Sequence, residues 1–390
     1  MICLGIETSC DETSIAFVED GNQIRANLIS SQVEIHQLYG GVVPEIASRK
    51  HLENLNVLLD EALREAKLSW KQIEIVAATR GPGLVGALLV GVAAAKSIAL
   101  GLNVPFIGVN HLVGHVYANF LEHPDLKFPF LALIVSGGHT SLVLLKEHLV
   151  FETLGTTRDD AAGEAFDKVA RIFDLGYPGG PIIDKLAQKG NPRAIEFPRA
   201  LLGSDSLDFS FSGLKTAVMN WKKNGDLNHY PIEDLSASFQ EAVVDVLVEK
   251  VRRAILATGV KTVVLAGGVA CNTGLRARLN ALADDYHVKL HHPSPRLCTD
   301  NAAMIACAGT FQYWKGAKDE LDADVTPPMA PLERLTCINS QIFASPHLFS
   351  SPKLFIIIEV QEVEGLCKEK EPINLSLVLS SLFSSGFIKA

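Results

Sequence analysis

The fold is decided by the stretch Gly5-Ile-Glu-Thr-Ser-Cys-Asp-Glu-Thr-Ser14, a loop of short hydroxyls and acids that follows an apolar segment. Met1–Glu7 predicts a strand before the loop, and Ser14–Glu19 predicts a second strand after it. Asp20-Gly21 is a hairpin turn, from which Gln23–Ser30 pairs back. This layout is typical of a hairpin that faces a phosphate, although an ordinary acidic β-turn has the same composition.

The same layout returns later in the chain. Phe130–Ser136 predicts a strand, Gly137-Gly138 turns the chain, and Thr140–Leu145 predicts the returning strand. Because glycine has no side chain, such a turn lets the backbone approach a phosphate closely. A third small-residue turn, Gly267-Gly268, follows a buried strand that begins at Val263. The repeated hairpins predict a duplicated α/β domain.

Two histidines, His111 and His115, lie four residues apart just after the strand predicted at Val104–Val109. At this spacing both imidazoles share one face of a helix, which suits a metal ion. Asp300 precedes a predicted helix, Ala302–Trp314. It is either an N-cap or the carboxylate that completes a His-His-Asp metal site. No glutamate follows His111, so the HExxH motif of metalloproteases is absent.

Three further features each allow two interpretations. Gly81-Pro-Gly-Leu-Val-Gly86 opens a helix, where it offers N–H groups to an anion or permits close helix–strand packing. Gly179-Gly180 either passes close to a ribose or phosphate or simply breaks the chain. Asn272 begins a helix, where it caps the first turn or binds a ribose or base.

Composition narrows the class of protein. The chain has 390 residues, of which 48% are hydrophobic, enough for two domains with a substantial core. A net charge of -9 argues against coating nucleic acid by bulk charge, so RNA affinity would come from a local patch or a partner. The seven cysteines form no CxxC pair, which disfavours a zinc knuckle or a disulfide framework. Neither a membrane span nor a signal peptide is predicted, and we expect a cytoplasmic protein.

The chain changes character after Leu332. Leu335–Ala390 is rich in Ser, Leu, Phe, Ile and Lys and is interrupted by prolines, and it contains no chemical motif. We therefore interpret residues 332–390 as an appended tail whose removal costs little activity.

Taken in order, the motifs resemble the two-lobed fold of actin, Hsp70 chaperones and sugar kinases. This is a duplicated, ribonuclease-H-like α/β fold with a nucleotide cleft between its lobes. Within that fold, six motifs together resemble the tRNA N6-adenosine threonylcarbamoyltransferase family from Met1 to about Pro331: Gly5–Ser14, Arg80-Gly-Pro-Gly83, His111-Leu-Val-Gly-His115, Ser136-Gly-Gly-His139, Asp208-Phe-Ser-Phe-Ser-Gly-Leu-Lys215 and Ala266-Gly-Gly-Val-Ala-Cys-Asn272. The resemblance implies an N-terminal lobe at 1–110, to which a helix at 300–325 returns, and a C-terminal lobe at 111–299.

The resemblance also implies the reaction, which is transfer of the threonylcarbamoyl group from threonylcarbamoyl-AMP to N6 of adenosine 37 in tRNAs that read codons beginning with A. It implies one divalent metal per subunit, iron(II) with zinc(II) as the alternative, held by His111, His115 and Asp300. Glu12 and His139 are the implied catalytic residues. The implied donor-binding positions are Ile134, Val135, Ser136, Gly137, Gly138, Asp167, Gly180, Asp184 and Asn272.

Partners and alternatives follow from the same resemblance. Besides tRNA and the adenylate donor, it implies a catalytically degenerate paralogue packed on the N-terminal lobe and a P-loop ATPase subunit, with no membrane. Two other functions stay open as alternatives. A metalloprotease acting on O-sialoglycoproteins would use the histidine pair, and an ATP-dependent kinase of the same fold would need a catalytic aspartate facing a γ-phosphate.

Overall fold

The computed structural model describes residues 1–203, 205–223 and 230–327. The tail predicted at 332–390 lies outside these residues. Over the described part of the chain, two five-stranded sheets are flanked by helices.

The first sheet is built around the N-terminal hairpin. Its order is β3-β2-β1-β4-β5, with β1, β2 and β3 antiparallel and with β1, β4 and β5 parallel. Glu7 pairs with Ser14 across the hairpin, so the polar loop lies at the end of the sheet. The predicted strand–turn–strand unit is confirmed. The strands are β1 (Ile2–Glu7), β2 (Glu12–Glu19), β3 (Gln23–Ser31), β4 (Ile73–Gly81) and β5 (Phe106–Asn110).

The second sheet repeats this plan. Its order, β8-β7-β6-β9-β10, matches the first sheet strand for strand, with the same antiparallel and parallel pairs. The predicted duplicated α/β fold is therefore confirmed. Its strands are β6 (Phe130–Val135), β7 (Thr140–Glu147), β8 (Val150–Thr156), β9 (Thr262–Ala266) and β10 (Lys289–His291).

Helices connect and cover the sheets. Apolar residues at helical spacing predict a helix at His51–Ala66, after a loop at His36–Arg49. Helix α2 begins seven residues earlier, at Pro44, because a proline at the first helical position is pre-organised for a helix. The α-helices are α1 (Val33–Gln37), α2 (Pro44–Ala66), α3 (Val85–Leu102), α4 (His111–Glu122), α5 (Ala162–Ile172), α6 (Gly179–Ala187), α7 (Ser212–Lys223), α8 (Ile232–Thr258), α9 (Thr273–Tyr286), α10 (Pro295–Cys298) and α11 (Ala302–Trp314).

Helix α3 is long and apolar enough to cross a membrane, the one such helix among the described residues. Half of it is buried in the structure, where it packs against β4 and α2. This is the environment of a core helix in a folded domain.

Helix α11 joins the N-terminal hairpin to the rest of the molecule. Its small residues lie on β1, β2, β4 and α4, and its first amide, Ala302 N, donates to Ser14 Oγ at 2.8 Å. The fit is close, because a Cβ on Gly5 would overlap the Ala302 carbonyl oxygen. Asp300, just ahead of α11, is thereby fixed beside the β1–β2 loop.

Candidate active site

The histidine pair lies at the start of α4, directly after β5. Asn110 caps this helix, since its Oδ1 accepts hydrogen bonds from Leu112 N at 2.8 Å and from Val113 N at 3.3 Å. The cap fixes the first turn, so both imidazoles lie on one face. His111 is 7% exposed and His115 is 1% exposed.

The structure brings Asp300 to this pair. Its Oδ1 lies 3.4 Å from His111 Nε2 and 3.2 Å from His115 Nε2, and one ligand atom from each residue lies within 4.8 Å of the other two. An ion about 2.1 Å from each ligand would separate those atoms by roughly 3–3.5 Å. Two imidazoles and one carboxylate on one side of an ion leave its other positions open for substrate.

An unpaired buried imidazole supports the fit to a metal. Among the described residues neither ring nitrogen of His115 has a hydrogen-bond partner of good geometry, although the ring is buried. A buried polar atom without a partner is costly, and a metal bond to Nε2 would satisfy one of these two nitrogens.

The charges within the cluster favour an ionised Asp300. Burial opposes its ionisation, but the facing imidazoles outweigh burial and hold the pKa of Asp300 well below its usual range. The pKa of His115 is lowered by burial and by the neighbouring His111, which keeps this imidazole neutral. A neutral imidazole and an ionised carboxylate are the forms that bind metals.

A second carboxylate, Glu7, supports His111 from behind. Glu7 is fully buried at the end of β1, and its Oε2 lies 3.1 Å from His111 Nδ1. Thr79 Oγ1 donates to the same oxygen and Ser9 N donates to Oε1, both at 2.5 Å. This role could not be predicted from sequence, because the three partners of Glu7 lie on different elements and share no spacing along the chain.

The two implied catalytic residues both lie near Asp300. Burial, followed by the charges of Asp300 and Asp11, raises the pKa of Glu12 well above its usual value. Burial and then the charges of His111 and His115 lower the pKa of His139 to about 4. The site therefore places the Glu12 carboxyl group, whose pKa is raised, and the neutral His139 imidazole near the candidate metal ligands His111, His115 and Asp300.

The turn after β6 forms a second part of the site. Ile134 and Val135 are fully buried in β6, so only their backbone could contact a ligand. Gly137 and Gly138 face open space, since no atom of the described residues beyond their chain neighbours lies within 4 Å of an added Cβ. Behind them, a Cβ on Gly163 would lie 2.6 Å from Ser136 O, so α5 packs directly on the turn.

The implied donor-binding side chains Asp167, Asp184 and Asn272 hold the first residues of neighbouring helices. Asp167 accepts a hydrogen bond from Gly179 N at 2.7 Å, which holds the start of α6. Asp184 accepts from Thr273 Oγ1 at 2.8 Å, and Asn272 Oδ1 accepts from Leu275 N at 2.8 Å, which fixes the start of α9. Gly180 faces open space. These polar side chains hold the starts of α6 and α9, and Gly180 beside them stays uncovered by the described residues.

Helix-starting glycines at Gly81–Gly86 have a packing role. A Cβ on Gly83 would lie 2.7 Å from Ser9 O, and Leu84 N donates to that same oxygen at 2.8 Å. The turn therefore supports the polar loop of the first hairpin, which favours the packing interpretation over a separate anion site.

Tyr177 lies opposite the acidic hairpin and was also missed from sequence. Burial and then the charges of Asp11 and Asp167 raise the pKa of its phenol. The backbone carbonyl of Tyr177 accepts a hydrogen bond from Gln37 Nε2 at 2.6 Å. This bond joins the first half of the chain to the second. The residue therefore lies where the two halves of the fold face each other.

Comparison with known proteins identifies a single family over most of the chain. The family described as TsaD, tRNA N6-adenosine threonylcarbamoyltransferase, matches residues 23–307. A tRNA N6-adenosine threonylcarbamoyltransferase from Clostridioides difficile is 52% identical over 329 residues, which cover 84% of this chain and 97% of that protein. One from Bacillus thuringiensis is 56% identical over 329 residues, covering 84% and 95%, respectively. One from Desulfitobacterium hafniense is 55% identical over 326 residues, covering 83% and 94%.

Solved structures support the fold. HypF from T. kodakarensis superposes with a TM-score of 0.55 at 15% identity, covering 81% of this chain and 48% of HypF. Component A of the Acidaminococcus fermentans (R)-2-hydroxyglutaryl-CoA dehydratase superposes with a TM-score of 0.50 at 18% identity, covering 82% and 100%. At these identities the likeness concerns the fold alone.

Proposed function

This chain belongs to the tRNA N6-adenosine threonylcarbamoyltransferase family, and from that premise we propose how its residues carry out the reaction. It is an enzyme that forms N6-threonylcarbamoyladenosine in tRNA. The observation that carries the proposal is the cluster of His111, His115 and Asp300, which lies beside Glu12 and His139.

The proposed donor is threonylcarbamoyl-AMP, and the proposed acceptor is N6 of adenosine 37 in tRNAs that read codons beginning with A. In this reaction the amine nitrogen forms a bond to the carbamoyl carbon, the bond from that carbon to the phosphate oxygen breaks, and AMP leaves. The uncovered turn after β6 suits an adenylate, because the backbone N–H groups of Gly137 and Gly138 can approach its phosphate. The Ser136 N–H holds the turn itself, since it donates to His139 O at 2.8 Å. The acceptor base must leave its stacked loop to reach the site.

The cluster is proposed to hold one divalent ion, iron(II) or zinc(II), with His111, His115 and Asp300 as ligands. When bound, the ion would supply Lewis-acid polarisation of the carbamoyl carbonyl. The residues of the turn after β6 and of the acidic hairpin are proposed to orient the donor and the acceptor relative to each other.

Glu12 is proposed to accept the proton that N6 loses on attack. Its raised pKa supports this role, since a general base works best when its pKa is near the working pH. Because His139 is neutral, it is proposed to orient the donor through a hydrogen bond rather than to carry charge.

Partners are proposed from the N-terminal half of the fold. Helices α2 and α3 pack on each other and expose Val57, Val85 and Leu89 by 58%, 53% and 47%. Val85 and Leu89 are one turn apart on the same face of α3, and exposed apolar patches of this kind favour protein contacts. We assign this face to the degenerate paralogue, and we propose a P-loop ATPase subunit as a further partner.

We also propose a cytoplasmic location for the protein. The proposed N-terminal lobe comprises residues 1–110 together with 300–325, and the proposed C-terminal lobe comprises residues 111–299.

The metal proposal is tested with His115→Ala and Asp300→Ala. Each variant should lose bound metal and transfer together, whereas His123→Ala, which changes a partly buried histidine bonded to His292 O, should retain both. Metal content by mass spectrometry and incorporation of labelled threonylcarbamoyl into tRNA are the two measurements. Full transfer by a metal-free His115→Ala/Asp300→Ala double variant would contradict the proposal.

A further inference from the structure

Three donors converge on the buried carboxylate of Glu7. Ser9 N donates to Oε1, and Thr79 Oγ1 donates to Oε2, while His111 Nδ1 lies 3.1 Å from that same Oε2. Glu7 and Thr79 are 0% and 1% exposed, so water does not compete for these bonds. The carboxylate therefore has a fixed orientation toward the back of the His111 ring.

The two nitrogens of His111 thus face different partners. Nδ1 faces Glu7, and Nε2 lies 3.4 Å from Asp300 Oδ1 on the opposite side of the ring. An imidazole that binds a metal is neutral and carries one proton, and a carboxylate that accepts from Nδ1 holds that proton there. The lone pair then lies on Nε2 and points toward Asp300 and His115.

We infer that Glu7 is a positioning residue that holds His111 with its proton on Nδ1, so that Nε2 is presented as a metal ligand. The inference rests on the metal site proposed above and goes beyond it by assigning a supporting residue. Carboxylates behind ligating histidines typically strengthen metal binding by about 10–100-fold.

The two histidines are not equivalent in this respect. Among the described residues His115 Nδ1 has no hydrogen-bond partner, whereas His111 Nδ1 faces both Glu7 and Ser9 Oγ, the latter at 3.3 Å. His111 is therefore the pre-oriented ligand, and removal of Glu7 should weaken its contribution specifically.

Glu7→Gln is the sharp variant, because it is isosteric and its amide can fit in only one way. An NH2 group at the Oε1 position would face Ser9 N–H, a donor against a donor. The NH2 group is therefore expected at the Oε2 position, where it donates to His111 Nδ1 and shifts the ring proton to Nε2. This is the tautomer that cannot bind a metal through Nε2.

The experiment titrates the metal-free, full-length protein with Co(II) and follows the visible absorption of the bound ion. Glu7→Gln should bind Co(II) about 10–100-fold more weakly, with an altered spectrum. Ser9→Ala is the matched control. It removes the hydroxyl near His111 Nδ1 but keeps the backbone N–H that holds Glu7, so its affinity should stay within about threefold of wild type.

The outcomes separate this inference from the proposal beneath it. A wild-type protein that binds no Co(II) overturns the metal site itself, and the inference with it. A wild type that binds Co(II), with Glu7→Gln equal in affinity and spectrum, overturns the role of Glu7 alone.

Should Glu7→Gln fail to fold, the tautomer of His111 is read directly in wild-type protein loaded with zinc(II), in which a ligating ring carries a single proton. The probe is the 15N shift of labelled histidine, assigned with His111→Gln. A proton on Nδ1 supports the inference, and a proton on Nε2 overturns it.

Discussion

Replacing Asn272 with alanine removes two hydrogen bonds that hold the start of α9. Asn272 Oδ1 accepts from Leu275 N at 2.8 Å, and Nδ2 donates to Gln240 Oε1 at 2.7 Å. Loss of the cap costs about 1 kcal/mol. The buried Gln240 oxygen is left without its donor, which costs about 1–3 kcal/mol more. Asn272→Ala should therefore lower the free energy of unfolding by about 2–4 kcal/mol.

The assay is chemical denaturation of wild type, Asn272→Ala, Asn272→Ser and the double variant with Gln240→Leu. Serine keeps a capping oxygen but cannot reach Gln240, so it should recover only the cap contribution. Removing the Gln240 amide should make Asn272→Ala less costly, with a coupling of about 1–3 kcal/mol between the two sites. Wild-type stability of Asn272→Ala, or strict additivity with Gln240→Leu, would refute the structural role. The KM for threonylcarbamoyl-AMP should rise in Asn272→Ala, because the preceding turn loses its anchor.

Three further predictions probe the cleft and the fold. Gly163→Ala forces α5 against the turn after β6, so the KM for the donor should rise while Co(II) affinity is unchanged, and Gly213→Ala, which faces open space, should behave as wild type. The hydrogen bond from the Cys298 thiol, working against burial, lowers the pKa of Cys271 to about 7, so its alkylation by iodoacetamide should accelerate as pH rises through 7 and AMP should protect it. Hydrogen bonds from the neighbouring Arg252 and Arg253 hold the pKa of Glu249 at about 2, below its ordinary value of 4.5. The ionised carboxylate therefore stabilises the folded protein fully above pH 4.5, and this contribution is lost as the pH falls toward 2. Glu249→Gln should therefore cost about 0.5 kcal/mol at neutral pH and nothing near pH 2, since Glu249 and its two arginine partners are partly open to solvent.

The hairpins and α11 could be predicted from sequence because their signals are local. Turn residues flanked by apolar strands specify the two hairpins, and small apolar residues after Asn301 specify α11 at Ala302–Trp314, as observed. The duplication followed from the repeated pattern. The start of α2 was missed because Gly40-Gly41 and Pro44 indicate a loop, although a proline at the first helical position also starts a helix.

The site was harder to predict, because its residues gain their roles from distant partners. Glu7 reads as the end of a strand, and only the folded chain brings Thr79 and His111 to its carboxylate. Asn272 is a different case, because the sequence identifies the position but not its role. Its sequence context allows a cap or a nucleotide contact, and the structure shows that the cap uses its amide oxygen. An asparagine at a helix start is expected in both interpretations, so the sequence could not distinguish a cap from a nucleotide contact.

The most direct test of the central claim is the N6-threonylcarbamoyladenosine content of tRNA from cells depleted of this protein, measured by mass spectrometry of tRNA nucleosides. The modified nucleoside should fall on depletion, recover with the wild-type chain, and fail to recover with Asp300→Ala. Unchanged levels of the modified nucleoside after complete depletion would contradict the assignment.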